Sequence, residues 1–144
     1  MSHENKIKIF LVDDDELFLK TLEIEFLNHA DFDIKTFISG ELCIAGLSHK
    51  PDAIILDYHL DGLDKTAMNG MQTLDKIKLL DPEMPVVMLS SQDEIDVAIN
   101  CMHHKAYDYV VKSPTAFLRL QKNITSILHQ KKLEKQITWY MDRM

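Results

Sequence analysis

Two apolar runs without a polar break, Ala53-Ile54-Ile55-Leu56 and Val86-Val87-Met88-Leu89, constrain this chain more than any other feature. A short continuous apolar run bounded by turn residues offers no face to water, so each reads as a strand buried on both sides. The first run stops at Asp57, which then stands at its strand's carboxyl end. In an open α/β sheet that edge is where ligands and chemistry gather. An Asp there is a helix cap, a metal ligand or a nucleophile, and the remaining strands decide which.

Taken in order, Lys6–Val12 (K-I-K-I-F-L-V) reads as a first strand running directly into Asp13-Asp14-Asp15-Glu16. Four acids in a row are usually a solvated face. Between a buried strand and a helix, at least two of them belong at the sheet's carboxyl edge, and one can cap the helix. Asp15–His29 carries a stripe of Phe18, Leu22 and Phe26 with Leu19 beside it, the pattern of an amphipathic helix. Asp31–Ser39 reads as a second strand, and Ser39-Gly40-Glu41 opens a short helix through about Leu47. After Asp57, residues 58–69 form a connection well beyond the usual ~2–6 residues of a βα loop. Asn69-Gly70 closes it, and Met71, Leu74, Ile77 and Leu80 mark a third helix, stopped by Asp81-Pro82.

Val86–Leu89 ends at Ser90-Ser91, and Ser91-Gln92-Asp93-Glu94 has the spacing of a capping box. Ile95, Ala98/Ile99 and Met102 then give a helical stripe reaching His104. Tyr107–Val111 is the fifth strand, with Lys112 at its carboxyl end. Ser113-Pro114-Thr115 starts a last helix with Phe117, Leu120, Ile124 and Ile127/Leu128 on one stripe. Strands alternating with helices in this way predict a parallel sheet with right-handed crossovers.

Four strand ends therefore deliver Asp13 and Asp14, Asp57, Ser90 and Lys112 to one edge. Like charges at ~4 Å repel by roughly 4 kcal/mol at an effective dielectric near 20, so three acids call for a cation. All-oxygen ligation with open positions suits Mg²⁺. A metal and a lysine can also neutralise an incoming phosphoryl group, and a carboxylate can be its acceptor. Composition agrees with a single domain: the 144 residues are 46% hydrophobic and 27% charged, close to the globular average. The net charge of −7 argues against direct binding of nucleic acid phosphates. Cys43 and Cys101 have no metal-ligand spacing, and reduced thiols point to a cytoplasmic protein. No apolar run approaches the ~18–20 residues of a membrane span, and Met1–Lys8 has no signal-peptide core.

On these residues the sequence resembles the receiver domain of two-component response regulators. Val12-Asp13-Asp14 matches the family's acidic pair, Ile55-Leu56-Asp57 its phospho-acceptor, Leu89-Ser90-Ser91 its Ser/Thr position, and Tyr109-Val110-Val111-Lys112 its switch aromatic and lysine. The resemblance implies a CheY-like, flavodoxin-like α/β fold: a five-stranded parallel sheet in the order 2-1-3-4-5 with helices on both faces. It places the receiver domain at residues 6–129, followed by a helical C-terminal extension or linker at 130–144. By the same likeness Asp57 accepts a phosphoryl group from the phosphohistidine of a sensor histidine kinase or phosphotransfer protein. Asp14, Asp57 and the backbone carbonyl of His59 would bind Mg²⁺, with Asp13 acting through water. Ser90 and Lys112 would hold the phosphate, and Ser90 and Tyr109 would form the switch, Tyr109 turning inward. His59 and Gln92 match positions that tune phosphate lifetime. The signal would pass through the fourth helix, fifth strand and fifth helix, about residues 94–128, to a downstream protein or an output domain outside this sequence. The chain would be no enzyme beyond its own phosphorylation and dephosphorylation.

Three departures accompany the likeness. Asp61 stands where the family commonly has Pro, the 58–69 loop is longer than in most members, and Ser113 separates Lys112 from Pro114. Members usually place that Pro directly after the lysine in a cis bond, whereas a cis Lys112–Ser113 bond would cost about 3 kcal/mol. Two other functions compete. A degenerate receiver would bind partners without phosphorylation, and the intact quintet speaks against it. An enzyme on this fold would need other residues: a haloacid-dehalogenase-type phosphatase needs an Asp where His59 stands, and a flavodoxin needs a phosphate loop where this chain has acids. His103, His104 and His129 read as solvated or helix-end residues rather than metal ligands.

The tail carries Leu133, Ile137, Tyr140 and Met144 at spacings of 4, 3 and 4, the seam of a coiled coil. It does not continue the stripe of Leu120, Ile124 and Ile127 in phase. The tail can extend the last helix and pair with a second chain, fold back on its own domain, or be a linker cut short. A helical extension with a weak homodimer, through the tail or the fourth-helix–fifth-helix face, is the expectation.

Overall fold

Five short strands, β1 (Lys8–Val12), β2 (Asp33–Phe37), β3 (Ala53–Asp57), β4 (Val86–Ser90) and β5 (Asp108–Val111), form one parallel sheet in the order β2-β1-β3-β4-β5. The structure is a computed structural model that describes residues 6–62 and 64–144. The reading of Met1–Lys8 as lacking a signal-peptide core therefore lies mostly outside the described residues. Between the strands run α1 (Glu16–His29), α2 (Gly40–Ala45) with a 3₁₀ turn at Leu47–His49, α3 (Gly70–Leu80) and α4 (Ile95–His103). A last helix, α5 (Ala116–Asp142), follows β5. The expected fold class and strand order are those observed.

Alternation along the strands builds two cores. Ile9, Leu11, Ala53, Ile55, Val87, Leu89 and Val110 face Leu19, Leu22 and Phe26 of α1 and Ala116, Leu120, Ile124 and Ile127 of α5. Phe10, Val12, Ile54, Leu56, Val86, Met88 and Tyr109 face Cys43 of α2, Leu74 and Ile77 of α3 and Cys101 of α4. Both faces of β3 and β4 are covered, which is why those runs carry no polar break.

Helix starts follow local chemistry in three cases. Asp15 accepts from the backbone N–H groups of Leu17 and Phe18, so it is the acid that caps α1. Ser39 caps α2 through Leu42, and Asn69 with Gln72 forms a reciprocal capping box at α3. The box expected at Ser91–Glu94 does not form: α4 starts after Glu94 with no side-chain cap, and in the segment before it the Gln92 N–H donates to the Ser90 hydroxyl.

The α4 stripe also needs correction. Ile95, Ile99 and Met102 point outward, and the helix packs through Val97, Ala98 and Cys101. Apolar residues cover a broad arc of this nine-residue helix, leaving only Asp96, Asn100 and His103 on the remaining side, so periodicity alone did not choose which part of the arc is buried. On α3, Leu80 is exposed and Thr73 is buried in its place, its hydroxyl donating to the Asn69 carbonyl beside Gly40. Gly40 allows that closeness, since a Cβ there would lie 2.0 Å from Thr73 Oγ1.

Beyond Ile127 no residue of α5 is buried. The tail continues the helix without folding back. Lys131 Nζ fixes its direction, donating to the Asp52 carbonyl at 2.8 Å beside the start of β3. There is no cis peptide bond among the described residues, Lys112–Ser113 included, and none of their helices is long and apolar enough to cross a membrane.

Candidate functional site

Strand register assembles the site. Val12 pairs with Leu56, so the next residues, Asp13 and Asp57, lie abreast at the ends of β1 and β3. Asp57 pairs with Leu89, which places Ser90 one step further along β4. Ser90 pairs with Val111, and its carbonyl accepts the Lys112 backbone N–H at 2.7 Å. Thus β3 ends one residue beyond β1 and β4 one residue beyond β3, while β5 ends level with β4.

Asp13, Asp14 and Asp57 each bring a carboxylate oxygen within 4.8 Å of the others. Asp13 is 2% exposed and Asp57 3%. Lys112 Nζ lies 2.9 Å from Asp13 Oδ2 and 3.5 Å from Asp57 Oδ1, and it rests over the Phe18 ring at 4.4 Å. The other oxygen of Asp13 accepts the Asp15 backbone N–H. Burial, followed by the charge of Asp13, pushes the Asp57 carboxyl up to about 7, although Lys112 and the His59 backbone pull against the shift. Burial works against the Lys112 charge, but Asp13 and Asp57 outweigh it and hold its pKa above the usual lysine value. One ammonium among three carboxylates leaves the pocket negative. An all-oxygen donor set with that surplus is suited to a hard divalent cation such as Mg²⁺, and Asp13, Asp14 and Asp57 are the residues that could hold it. No other such group of His, Cys, Asp and Glu occurs among the described residues. His103, His104 and His129 join none, and His104 instead pairs with Asp75 at 2.7 Å.

Glycine sets the pocket's rim. A Cβ at Gly70 would come within 2.6 Å of the Asp57 and Tyr58 backbone, so only glycine lets the start of α3 press against the end of β3. Gly62 of the long loop stands next to Asp14, where a Cβ would be 3.3 Å from its Oδ2. The far end of that loop is tied to α2 through the Met68 N–H and Glu41. Phe18 and Gly62 were missed as site residues by sequence reasoning. Phe18 looked like an ordinary core position, and the loop glycine offered no signal of which acid it would approach.

Gln92 joins the pocket to the neighbouring face through its backbone. Its N–H donates to the Ser90 hydroxyl at 3.1 Å, and its carbonyl accepts the Tyr109 hydroxyl. Ser90 is fully buried, and Tyr109 is buried as well. The Tyr109 ring packs in the core on the α2, α3 and α4 side of the sheet. His59 follows Tyr58 next to the pocket, with its ring edge-on to the tyrosine and its Nε2 buried without a hydrogen-bond partner.

Comparison with known proteins gives a consistent result. A sequence model of the response regulator receiver domain matches residues 9–125. The chain is 30% identical over 105 residues to the C4-dicarboxylate transport transcriptional regulatory protein DctD of Rhizobium meliloti, covering 72% of this chain and 22% of that one. It is 28% identical over 125 residues to the transcriptional regulatory protein PrrA of Mycobacterium tuberculosis, covering 86% and 51%. The chain thus spans from about a fifth to a half of these relatives' lengths. Among solved structures, the signal receiver domain of a putative LuxO repressor protein from Vibrio parahaemolyticus superposes with a TM-score of 0.78 at 26% identity, over 92% of this chain and 97% of that one. The match runs through all five strands and both cores, and this chain belongs to the response regulator receiver domain family.

Proposed function

We propose that the domain is a phosphorylation-operated switch in which Asp57 accepts a phosphoryl group from the phosphohistidine of a sensor histidine kinase or phosphotransfer protein. The observation that supports this reading is the contact of Lys112 Nζ with both Asp13 and Asp57 inside a cluster of three carboxylates. Asp57 attacks phosphorus in line, the P–N bond breaks, and the histidine nitrogen leaves with the electron pair. Lys112 turns from its carboxylates to the incoming phosphoryl oxygens, and the Ser90 hydroxyl donates to one of them. Asp14, Asp57 and the His59 carbonyl would hold Mg²⁺, and Asp13 would assist through water. When bound, the ion supplies charge neutralisation for the phosphoryl oxygens.

Drawing Ser90 toward the phosphate alters its bond with the Gln92 N–H, and the Gln92 carbonyl carries that change to Tyr109. The readout is the face of α4, β5 and α5, which passes it to a downstream protein or an attached output domain. His59 and Gln92 set how long the phosphate lasts. The domain catalyses only its own phosphorylation and dephosphorylation.

Incubation with Mg²⁺ and acetyl phosphate, followed by intact mass measurement, tests the assignment. The chain gains one acid-labile phosphoryl group, and Asp57→Asn gains none. Undiminished labelling of that variant would overturn the role of Asp57.

A further inference from the structure

We infer that the exposed second half of α5 is a parallel dimerisation seam for a second copy of this chain. The helix runs unbroken from Ala116 to Asp142, yet its buried residues end at Ile127. The next stretch exposes Leu133 at 45%, Ile137 at 57% and Tyr140 at 65%, with Met144 just past the helix end. Their spacing of 4, 3 and 4 is a heptad seam with Leu133 and Tyr140 at d and Ile137 and Met144 at a. Leucine at d with a β-branched residue at a is the combination that favours two parallel strands.

The flanking residues fit the same occupant. Lys131, Lys132 and Lys135 fall at the outer b, c and f positions, away from a paired copy. In a parallel pair the g and e positions bring His129 of one copy to Glu134 of the other, and Gln136 to Met141, with no like charges facing. A two-fold pair is self-complementary, so one seam serves both copies.

A seam of about two heptads is short for a free peptide, because helix nucleation is costly. Here the cost has already been met within the domain: Leu120, Ile124 and Ile127 pack the first half of the same helix. Lys131, bonded to Asp52, anchors it where the seam begins. The residues from Gln130 to Asp142 span only about 20 Å, less than a standard interface, so the dimer is weak and concentration-dependent.

Sedimentation equilibrium of the full chain up to about 1 mM tests the seam. The wild type shows a reversible monomer–dimer equilibrium. Leu133→Lys with Ile137→Lys weakens it about a hundredfold or more, the scale expected for losing two buried aliphatic side chains per copy. Both residues are exposed in the single chain, so far-UV circular dichroism of the receiver core stays native. Trp139→Ala, off the seam at position c, leaves association within about twofold. A second measurement fixes direction: Met144→Cys crosslinks to its own copy under mild oxidant, which only a parallel pair allows. Cys43 and Cys101 do not interfere, because burial pushes their thiols up to about 12 and about 11. A chain that stays monomeric throughout overturns the inference. So does a dimer that survives the double lysine variant, one that Trp139→Ala weakens equally, or one that the introduced thiols fail to crosslink.

Discussion

The carboxyl edge of the sheet buries charge, whereas the far half of α5 exposes apolar side chains. Asp13 and Asp57 are almost fully covered, while Trp139 is half exposed and Tyr140 and Met141 more so. Each region inverts the usual distribution, and for different reasons. The acids sit at the ends of the most tightly packed strands, so their mutual repulsion is carried by the cooperative core. The tail lies outside that core, so its exposed surface has no bearing on whether the domain folds. Unfolding experiments should therefore register the first region and be blind to the second, and that difference is what the following measurements probe.

The largest contrast lies within one helix. Leu120→Ala removes a fully buried side chain and should cost about 2–5 kcal/mol, whereas Leu133→Ala at dilute concentration should stay within about 0.5 kcal/mol. Urea unfolding of the two variants measures both. Comparable losses would show that the tail belongs to the cooperative unit after all.

Next comes the buried acid. Because the folded state raises the Asp57 pKa from 3.8 to about 7, the folded chain binds the extra proton over that interval. Metal-free stability is then highest below about pH 4 as far as this group is concerned, and it falls as pH rises toward about 7. Asp57→Asn should remove that slope and stabilise the metal-free domain at pH 8 by about 1–3 kcal/mol. Thermal unfolding across pH in chelator would reveal it, and an unchanged slope in the variant would place the strain elsewhere in the pocket.

The same strain predicts a response to metal. Saturating Mg²⁺ should raise wild-type stability by about 1–2 kcal/mol through preferential binding to the folded state. Asp14→Ala should weaken that effect, since one carboxylate is lost from the cluster. An identical Mg²⁺ titration of unfolding for both proteins would remove Asp14 from the set.

What the sequence revealed follows from what fixes each feature. Asp13, Asp57, Ser90 and Lys112 were legible because the strand period and its apolar run determine which residue emerges at the edge, and parallel register then brings those residues together. The five strands were legible for the same reason. The outward turn of Ile95, Ile99 and Met102 was not, because Val97 and Cys101 on the adjoining face are equally acceptable in a core and tertiary packing made the choice. Nor was the missing cap at Ser91: the motif was present, but the helix begins only after Glu94, which leaves Ser91 three residues short of its N-terminus. Lys50 and Lys105, the non-glycine residues with positive φ of 56° and 75° among the described residues, occupy helix-end positions where no Gly or Asn marks a left-handed turn.

The smallest expected effect concerns the link between the two regions. Tyr109 is buried on the α4 side of the sheet, and its hydroxyl donates to the same Gln92 whose N–H bonds Ser90. Tyr109→Phe keeps the ring and deletes that one donor, leaving the Gln92 carbonyl to the loop before α4. The loss should cost about 1 kcal/mol, the usual net worth of a neutral hydrogen bond. Labelling of Asp57 should stay within about twofold, because the hydroxyl bonds the Gln92 carbonyl and lies outside the acid cluster. Transmission should suffer instead. Hydrogen exchange of residues 94–128, compared with and without beryllofluoride, should show a difference in the wild type that shrinks in the variant. A variant that loses labelling would make Tyr109 part of the pocket, and one that keeps the full exchange response would remove the Gln92 relay from the switch.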